Sequence, residues 1–374
     1  MGWLIFLILL PTTVELLIVT IGALLPRRNI AQKEPLEGKW VIVIPAHNEE
    51  TQIAHLLHSL KANAIQAEVI VIADNCNDAT AEISRKMGYR VIERIDTLNR
   101  GKNKALHYAF DILLKEDFDW FVVLDADCIV EPNFIASLQA YAQKGVSAIQ
   151  AYYGMDKSAS HWRQKLMRVA FYSMNYLRPR GRSRLGLSCG ILGLGFALHR
   201  SVLLQVPFDT HAIAEDLWYH CALVQAKIQV FFCDETAAYA SAPIQGKGAA
   251  TQRARWEGGR LRVARELFPR LVEETFHGNW HTLEPLFELT SLPLAYYALL
   301  LIPLAFFWPT AAIFSFLLLA LHILTSIALK GQLSDLWVLA SAPFYILWKL
   351  TLLKDIFKAA KSDAEWVRTD RDKK

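Results

Sequence analysis

An α/β fold with a mostly parallel sheet, set between membrane-length apolar segments, is the class this sequence predicts, on three observations. Between residues 40 and 127, short runs of β-branched and aromatic residues alternate with stretches of helical periodicity, the pattern of right-handed βαβ units. The runs are apolar throughout rather than every second residue, as in strands covered by helices on both faces. Finally, apolar stretches of about 20 residues, enough to cross a bilayer, lie toward both ends of the chain.

Trp3 to Leu25 is the first such stretch; no basic residue precedes it, and Arg27 and Arg28 follow it. That charge order predicts a retained anchor with its amino end outside and the rest of the chain entering the cytoplasm. After a polar linker, Trp40 to Ile44 reads as a buried strand stopped by Pro45, and the turn Ala46-His47-Asn48-Glu49-Glu50 leads into a helix with Ile53, Leu56, Leu57 and Leu60 on one face. The strand Ala67 to Ile72 ends in Ala73-Asp74, and Asn75, Asn77 and Asp78 turn the chain toward a helix ending near Met87. Tyr89 to Glu93 is a shorter strand, Lys104 to Leu114 a helix, and Trp120-Phe-Val-Val-Leu a strand that ends in Asp125-Ala126-Asp127. Alternating side-chain direction puts Asp125 and Asp127 on one side of an extended backbone, a spacing that can hold a divalent cation.

Farther on, His161 to Leu177 mixes aromatic and basic residues as a helix along a membrane surface does, although an ordinary amphipathic helix fits equally. Arg178, Arg180, Arg182 and Arg184 read as a loop, either a solvated charge run or a mobile arm that meets phosphates. Leu289 to Trp308 and Ala311 to Leu329 read as a membrane hairpin, and Asp335 to Leu353, with its Asp335, Pro343 and Lys349, as a re-entrant or interfacial segment before a basic tail. The net charge of +4, without a dense basic stripe, excludes a nucleic-acid partner. Five cysteines without a Cys-x-x-Cys pair argue against a disulfide framework or a structural zinc site.

In a parallel sheet the strand tips converge at the carboxyl edge, where ligands bind. His47-Asn48-Glu49, Asp74, Asp125 and Asp127 therefore meet there, a suitable set for a nucleoside diphosphate and its metal. Lys102 at a helix start supplies a phosphate counter-charge, but Gly101-Lys102 lacks the P-loop spacing. Asp216, which opens a helix after Ala214-Glu215, is either a cap or a general base. In Gln252-Arg-Ala-Arg255-Trp256 an amide, a guanidinium and an indole share a helix face, suited to a diphosphate and a sugar, or equally to a basic interfacial helix.

Taken in order, these residues resemble family 2 glycosyltransferases, inverting enzymes with the A-type glycosyltransferase fold. Pro45-Ala-His47-Asn48-Glu49 is similar to the family's first-strand signature, Val71-Ile-Ala-Asp74 to its uridine-binding segment, Arg100-Gly-Lys102 to its Gly-Lys helix and Asp125-Ala126-Asp127 to its Asp-x-Asp motif. Cys189-Gly-Ile-Leu-Gly193-Leu-Gly195 resembles the glycine-rich floor of the sugar pocket, Glu215-Asp216 the catalytic pair, and Gln252 to Trp256 the Gln-x-x-Arg-Trp motif. The resemblance spans Trp40 to Arg260, and the apolar segments match the membrane-integrated branch that includes cellulose, chitin and hyaluronan synthases and ceramide glucosyltransferases.

It implies that Asp74 accepts from uracil, Asp125 faces the ribose or the metal shell, Asp127 ligates Mg2+ or Mn2+, Asp216 is the base, Arg255 steadies the leaving diphosphate and Trp256 stacks on the acceptor sugar. The expected organisation is an anchor over 1–26, a cytosolic transferase domain over 36–270, a transmembrane or re-entrant region over 285–354 and a basic tail over 355–374. The expected activity is transfer from a UDP-sugar to a lipid-linked or glycolipid acceptor at a bacterial inner membrane. A processive β-polysaccharide synthase and a nucleotide-binding membrane scaffold or transporter without catalysis are the alternatives.

Overall fold

The computed structural model describes residues 1–30, 32–61, 63, 67–156, 161–210, 212, 214–240 and 246–361, so most of the expected basic tail lies outside the described residues. The chain forms two units: Asn29–Asp156 with Cys189–Ser241, and Met1–Arg28 with Lys157–Ser188 and Ala242–Lys374.

The first unit is an α/β layer structure around one eight-stranded sheet of order β3-β2-β1-β4-β7-β6-β8-β5. Its strands are β1 (Trp40–Ala46), β2 (Ala67–Asp74), β3 (Arg90–Arg94), β4 (Trp120–Val123), β5 (Cys128–Val130), β6 (Ala148–Met155), β7 (Phe196–His199) and β8 (Phe231–Ala240). β3, β2, β1 and β4 run parallel, as the βαβ pattern requires, and β6 runs parallel to β8. β7 is antiparallel to β4 and β6, and β5 to β8. The core is what the apolar runs foretell: Ile42, Ile44, Val71, Trp120 and Val122 are buried with Ile53, Leu56, Leu57 and Leu60 from the helix Ile53–Lys61. Trp40 and Trp120, paired across β1 and β4, stack with ring centres 4.6 Å apart.

The ends of β1 and β4 differ from the sequence reading, each for a local reason. β1 runs through Pro45 instead of stopping there. Val43 O accepts from Leu124 N–H at 3.2 Å, so Val43 and, two residues on, Pro45 face β4. The β1–β4 ladder ends at Val43↔Val123, so the donor that proline lacks has no partner to disappoint, and pairing with β2 continues to Ala46. Conversely β4 ends at Val123, and the segment after it is not extended: Cys128 N–H bonds Asp125 O at 3.1 Å, folding Asp125-Ala126-Asp127 into a tight turn.

The second unit is helical. Gly2–Leu24 and Pro309–Lys330 are each long and apolar enough to cross a membrane. Leu9 and Leu16 of the first pack with Leu318 and Leu319 of the second and with Tyr297, Leu301 and Leu304. Their polar side chains bond between helices, Thr13 Oγ1 to Tyr297 Oη at 2.7 Å and Thr20 Oγ1 to His322 Nδ1 at 2.8 Å, as a medium without water demands. The expected span Leu289 to Trp308 is broken: the helical pieces Trp280–Thr290 and Leu294–Phe307 meet at 75°. Pro293 removes a donor at the break, and the carbonyls of Glu288 and Ser291 accept from Arg260 instead. The third segment is also bent, by 53° between Asp335–Thr351 and Leu353–Ala359.

The arginine stretch is neither a loop nor a mobile arm. Trp162–Phe171, a wider π-turn Tyr172–Leu177 and Arg178–Leu185 form one helical run. Arg178 and Arg182 are buried and held by Glu15 (2.8 and 2.7 Å) and Glu288 (2.6 and 2.7 Å), with Glu284 3.3 Å from Arg182. Arg180 and Arg184 each bond the Ala23 carbonyl at 3.2 Å, in the last turn of the first membrane-length helix, where cations are favoured. Removing one partner from such a network typically costs about 3–5 kcal/mol, because the other charge is left buried alone. The helices approach closely here: a Cβ on Gly181 would sit 2.2 Å from Val19 O.

Candidate active site

At the carboxyl ends of β1 and β2 the two following loops are laced together. Asn48, in the left-handed region at φ 56°, accepts from Asn77 N–H through Oδ1 at 2.8 Å, and Glu49 N–H donates to Thr80 Oγ1 at 2.8 Å. His47 Nδ1 lies 2.7 Å from Asp74 O. Asp74 is buried, and its Oδ1 accepts from Arg94 Nη1 at 2.6 Å and Asn75 Nδ2 at 2.9 Å. Burial raises its carboxyl above the usual range despite the opposing Arg94. Arg94 also donates to Asp96 at 2.9 Å and Asn99 O at 2.8 Å, tying the tip of β2 to the segment that enters the helix Lys102–Leu113.

Lys102 opens that helix and crosses to the tip of β4. Its Nζ is 2.5 Å from both Asp125 Oδ1 and Gly193 O and 3.9 Å from Glu215 Oε1. Burial pulls the Lys102 pKa down, but Asp125, Glu215 and Asp216 outweigh it, so the net shift is upward and the ammonium stays charged. Gly193 and Gly195, at φ 86° and 75°, enter β7, and Gly195 N–H bonds Val123 O at 2.8 Å. A Cβ on Gly193 would lie 3.1 Å from Asp216 Oδ2, so glycine lets the Asp216 carboxylate come against the strand. Glu215 and Asp216 start the helix Glu215–Gln225, and the segment before them is tied to the helix Lys102–Leu113 by Asn103 Nδ2 to Thr210 O at 2.9 Å. Burial pushes the Glu215 carboxyl up to about 7, with Lys102 opposing and Asp216 adding to the rise.

The structure thus brings Lys102, Asp125, Gly193, Glu215 and Asp216 together, and His47, Asn48 and Glu49 with Asp74. Asp127 belongs to the same place: the Tyr153 phenol is pushed well up, by burial first and then by Asp125, Asp127 and Asp216. Ala126, buried, is the pivot between the two carboxylates. Pro45 lies in β1 itself. Gln252, Arg255 and Trp256 lie on the helix Gly246–Phe276 of the other unit, where Trp256 packs 6.4 Å from the Phe171 ring under the Arg253 guanidinium.

A family model described as glycosyltransferase-like family 2 matches residues 38–259. The chain belongs to this family. Among curated proteins, this family 2 glycosyltransferase is 33% identical over 128 residues to the 4,4'-diaponeurosporenoate glycosyltransferase of Staphylococcus haemolyticus, covering 32% of the chain and 34% of that protein. The same enzyme of Staphylococcus aureus strain USA300 is 29% identical over 117 residues, covering 30% and 31%. These matches span about a third of the relatives' length. A solved mannosyltransferase from Pyrobaculum calidifontis, in complex with GDP-Man and Mn2+, aligns over 96% of the chain and 97% of its own with a TM-score of 0.57 at 17% identity. The fold is the A-type glycosyltransferase fold.

Three residues at this candidate site escape a motif reading. Arg94 ends β3 and partners Asp74; Tyr153 stands among the carboxylates. Gln150 is fully buried in β6, where Nε2 donates to Leu194 O at 2.8 Å and Oε1 accepts from Leu192 N–H at 2.9 Å, fixing the glycine-rich entry to β7. Its only sequence signal is a lone amide within an apolar strand.

Proposed function

We propose that this family 2 glycosyltransferase moves one sugar from a UDP-sugar to a lipid acceptor at a bacterial membrane, with inversion at the anomeric carbon. The observation that carries this is the convergence of Asp125, Lys102, Gly193 and Asp216 on one sheet edge. Asp74 is the uracil partner, its carboxylate oriented by Arg94, while His47, Asn48, Glu49 and Pro45 form the wall beneath the nucleoside. Lys102 offsets the negative charge of the diphosphate, and Gly195 gives the sugar its floor. Asp216 accepts the proton of the acceptor hydroxyl as its oxygen bonds the anomeric carbon and the bond to the diphosphate breaks.

Asp125, Glu215 and Asp216 act on Lys102, and Asp125, Asp127 and Asp216 on the Tyr153 phenol; such oxygen donors suit Mg2+ or Mn2+, with Asp127 as the proposed ligand. Such a cation, when bound, stabilises the charge of the departing diphosphate. The relatives are named for 4,4'-diaponeurosporenoate, which supports a lipid acceptor here, and the GDP-Man of the Pyrobaculum structure makes GDP-mannose the control donor. Single addition is favoured over processive synthesis because Thr13 and Thr20 of the first membrane-length helix are bonded to Tyr297 and His322 of neighbouring helices rather than lining a tunnel. The purified chain with membrane lipids is expected to release UDP from one UDP-sugar and label a lipid by one residue. A polymer ladder, turnover of GDP-mannose alone, or no release from any donor contradicts the reading.

The same reading sets the amino terminus outside and the transferase residues in the cytosol, from Arg27 and Arg28 after the first apolar helix. A cysteine placed at Lys374 is then expected to resist an impermeant maleimide in intact cells and to react after lysis. Labelling of intact cells reverses the topology.

A further inference from the structure

Within the helical unit, the helices Trp162–Phe171, Gly246–Phe276 and Ala342–Thr351 flank a shallow, open cleft. Arg163, Met167, Gln252, Arg253, Tyr345 and Trp348 line it. The Arg163 guanidinium lies 5.2 Å from the Trp162 ring centre and 5.3 Å from that of Trp348, and Arg253 lies 5.2 Å from that of Trp256. Arg253 also reaches Met167 Sδ at 2.8 Å and the Tyr345 side chain.

What sets these two arginines apart is their partners. Arg168 is paired with Asp335 at 2.7 Å, Arg178 and Arg182 with Glu15 and Glu288, while Arg180, Arg184 and Arg260 are bound by backbone carbonyls. Among the described residues, neither Arg163 nor Arg253 has a carboxylate in ion-pairing range. Glu257, one turn from Arg253, is already neutralised by Lys349 at 2.5 Å. The cleft therefore holds two uncompensated charges on aromatic faces, and a guanidinium stacked in this way still presents its in-plane N–H fork to an oxyanion. On the helix that carries Tyr345 and Trp348, Phe344 and Leu347 are 68% and 60% exposed, an apolar strip beside the charged opening.

We propose that this cleft binds the anionic end, a carboxylate or phosphate, of a long-chain amphipathic acceptor, between Arg163 and Arg253, with the chain along Phe344 and Leu347. This rests on the reading of the chain as a glycosyltransferase with a lipid acceptor, and it gives Gln252 a part in holding the acceptor rather than the donor.

The test titrates the full-length protein, in a detergent with a neutral headgroup, with palmitate and dodecyl phosphate. Dodecanol controls for the chain, and acetate and inorganic phosphate control for the charge. The long-chain anions are expected to bind saturably and at least about 10-fold more tightly than either control. Arg163→Gln and Arg253→Gln are each expected to weaken them by about 10-fold or more, with UDP titrated in parallel to report that each variant is folded. A diazirine-bearing palmitate on the unmodified protein is expected to label the peptides of Trp348 or Tyr345, which needs no variant. Equal binding of dodecanol, equal binding of free phosphate, undiminished binding by folded variants, or labelling elsewhere each overturns the proposal. Single-sugar transfer to a lipid without preference for anions removes the cleft and leaves the transferase reading intact. Anion binding here without turnover of any donor does the reverse.

Discussion

Asp216→Asn is expected to lower turnover by about 100-fold or more while leaving donor affinity nearly unchanged, since removal of a general base typically has this size. The substitution keeps the shape of the side chain, so its fit against Gly193, where Oδ2 lies 3.1 Å from the position of a Cβ, survives. The residues assigned to the donor are elsewhere: Asp74 with Arg94, Lys102 with Asp125, and Asp127. Below about pH 7 Glu215 is a poor substitute as base, because burial pushes its carboxyl up to about 7 and it is largely protonated there. It is also engaged with Lys102 at 3.9 Å. Turnover measured at saturating donor, with donor affinity by titration, separates the two effects. Near-normal turnover moves the proton-accepting role off Asp216, and a matched loss in Glu215→Gln, growing above pH 7, would name its neighbour.

The strands and their tips were legible in the sequence because burial on both faces leaves a run of apolar residues that nothing else resembles, and because a charge at the end of such a run has only the sheet edge to occupy. Trp120 to Val123 and Asp125 are the clearest instance. The misreadings share a cause, which is that the deciding partner is distant in sequence. Pro45 stays in β1 because β4 has already ended beside it, a fact of sheet order. Arg178 and Arg182 look like a solvated or mobile charge run until Glu15, Glu284 and Glu288 arrive from elsewhere in the chain. The helix expected from Leu289 is bent at Pro293, a residue visible in the sequence, whereas the donation from the Arg260 side chain to the Glu288 and Ser291 carbonyls at the bend is not. Arg94, Gln150 and Tyr153 belong to no motif of their own; each acts by touching or facing a residue that does.

Asp127→Asn is expected to weaken Mn2+-dependent binding of UDP by about 10-fold or more and turnover by about 100-fold, and excess EDTA is expected to abolish turnover of the unmodified enzyme. The argument starts from the turn that replaces the expected extended tip of β4. Because Cys128 N–H closes back on Asp125 O at 3.1 Å, the two aspartates are held by backbone geometry rather than by strand alternation. Asp125 is bound to Lys102 at 2.5 Å, and Asp127, two residues on in the same turn, is the proposed ligand of the cation. Both act on the Tyr153 phenol, so Asp127 lies at the site and not outside it. Asparagine keeps one oxygen and removes the charge, so the loss should fall on metal affinity first and on nucleotide affinity only when metal is present. Titration of UDP with and without Mn2+ reads that difference directly. Full turnover in excess EDTA, or an Asp127→Asn enzyme whose UDP affinity still responds to Mn2+ as before, would remove the cation from this turn.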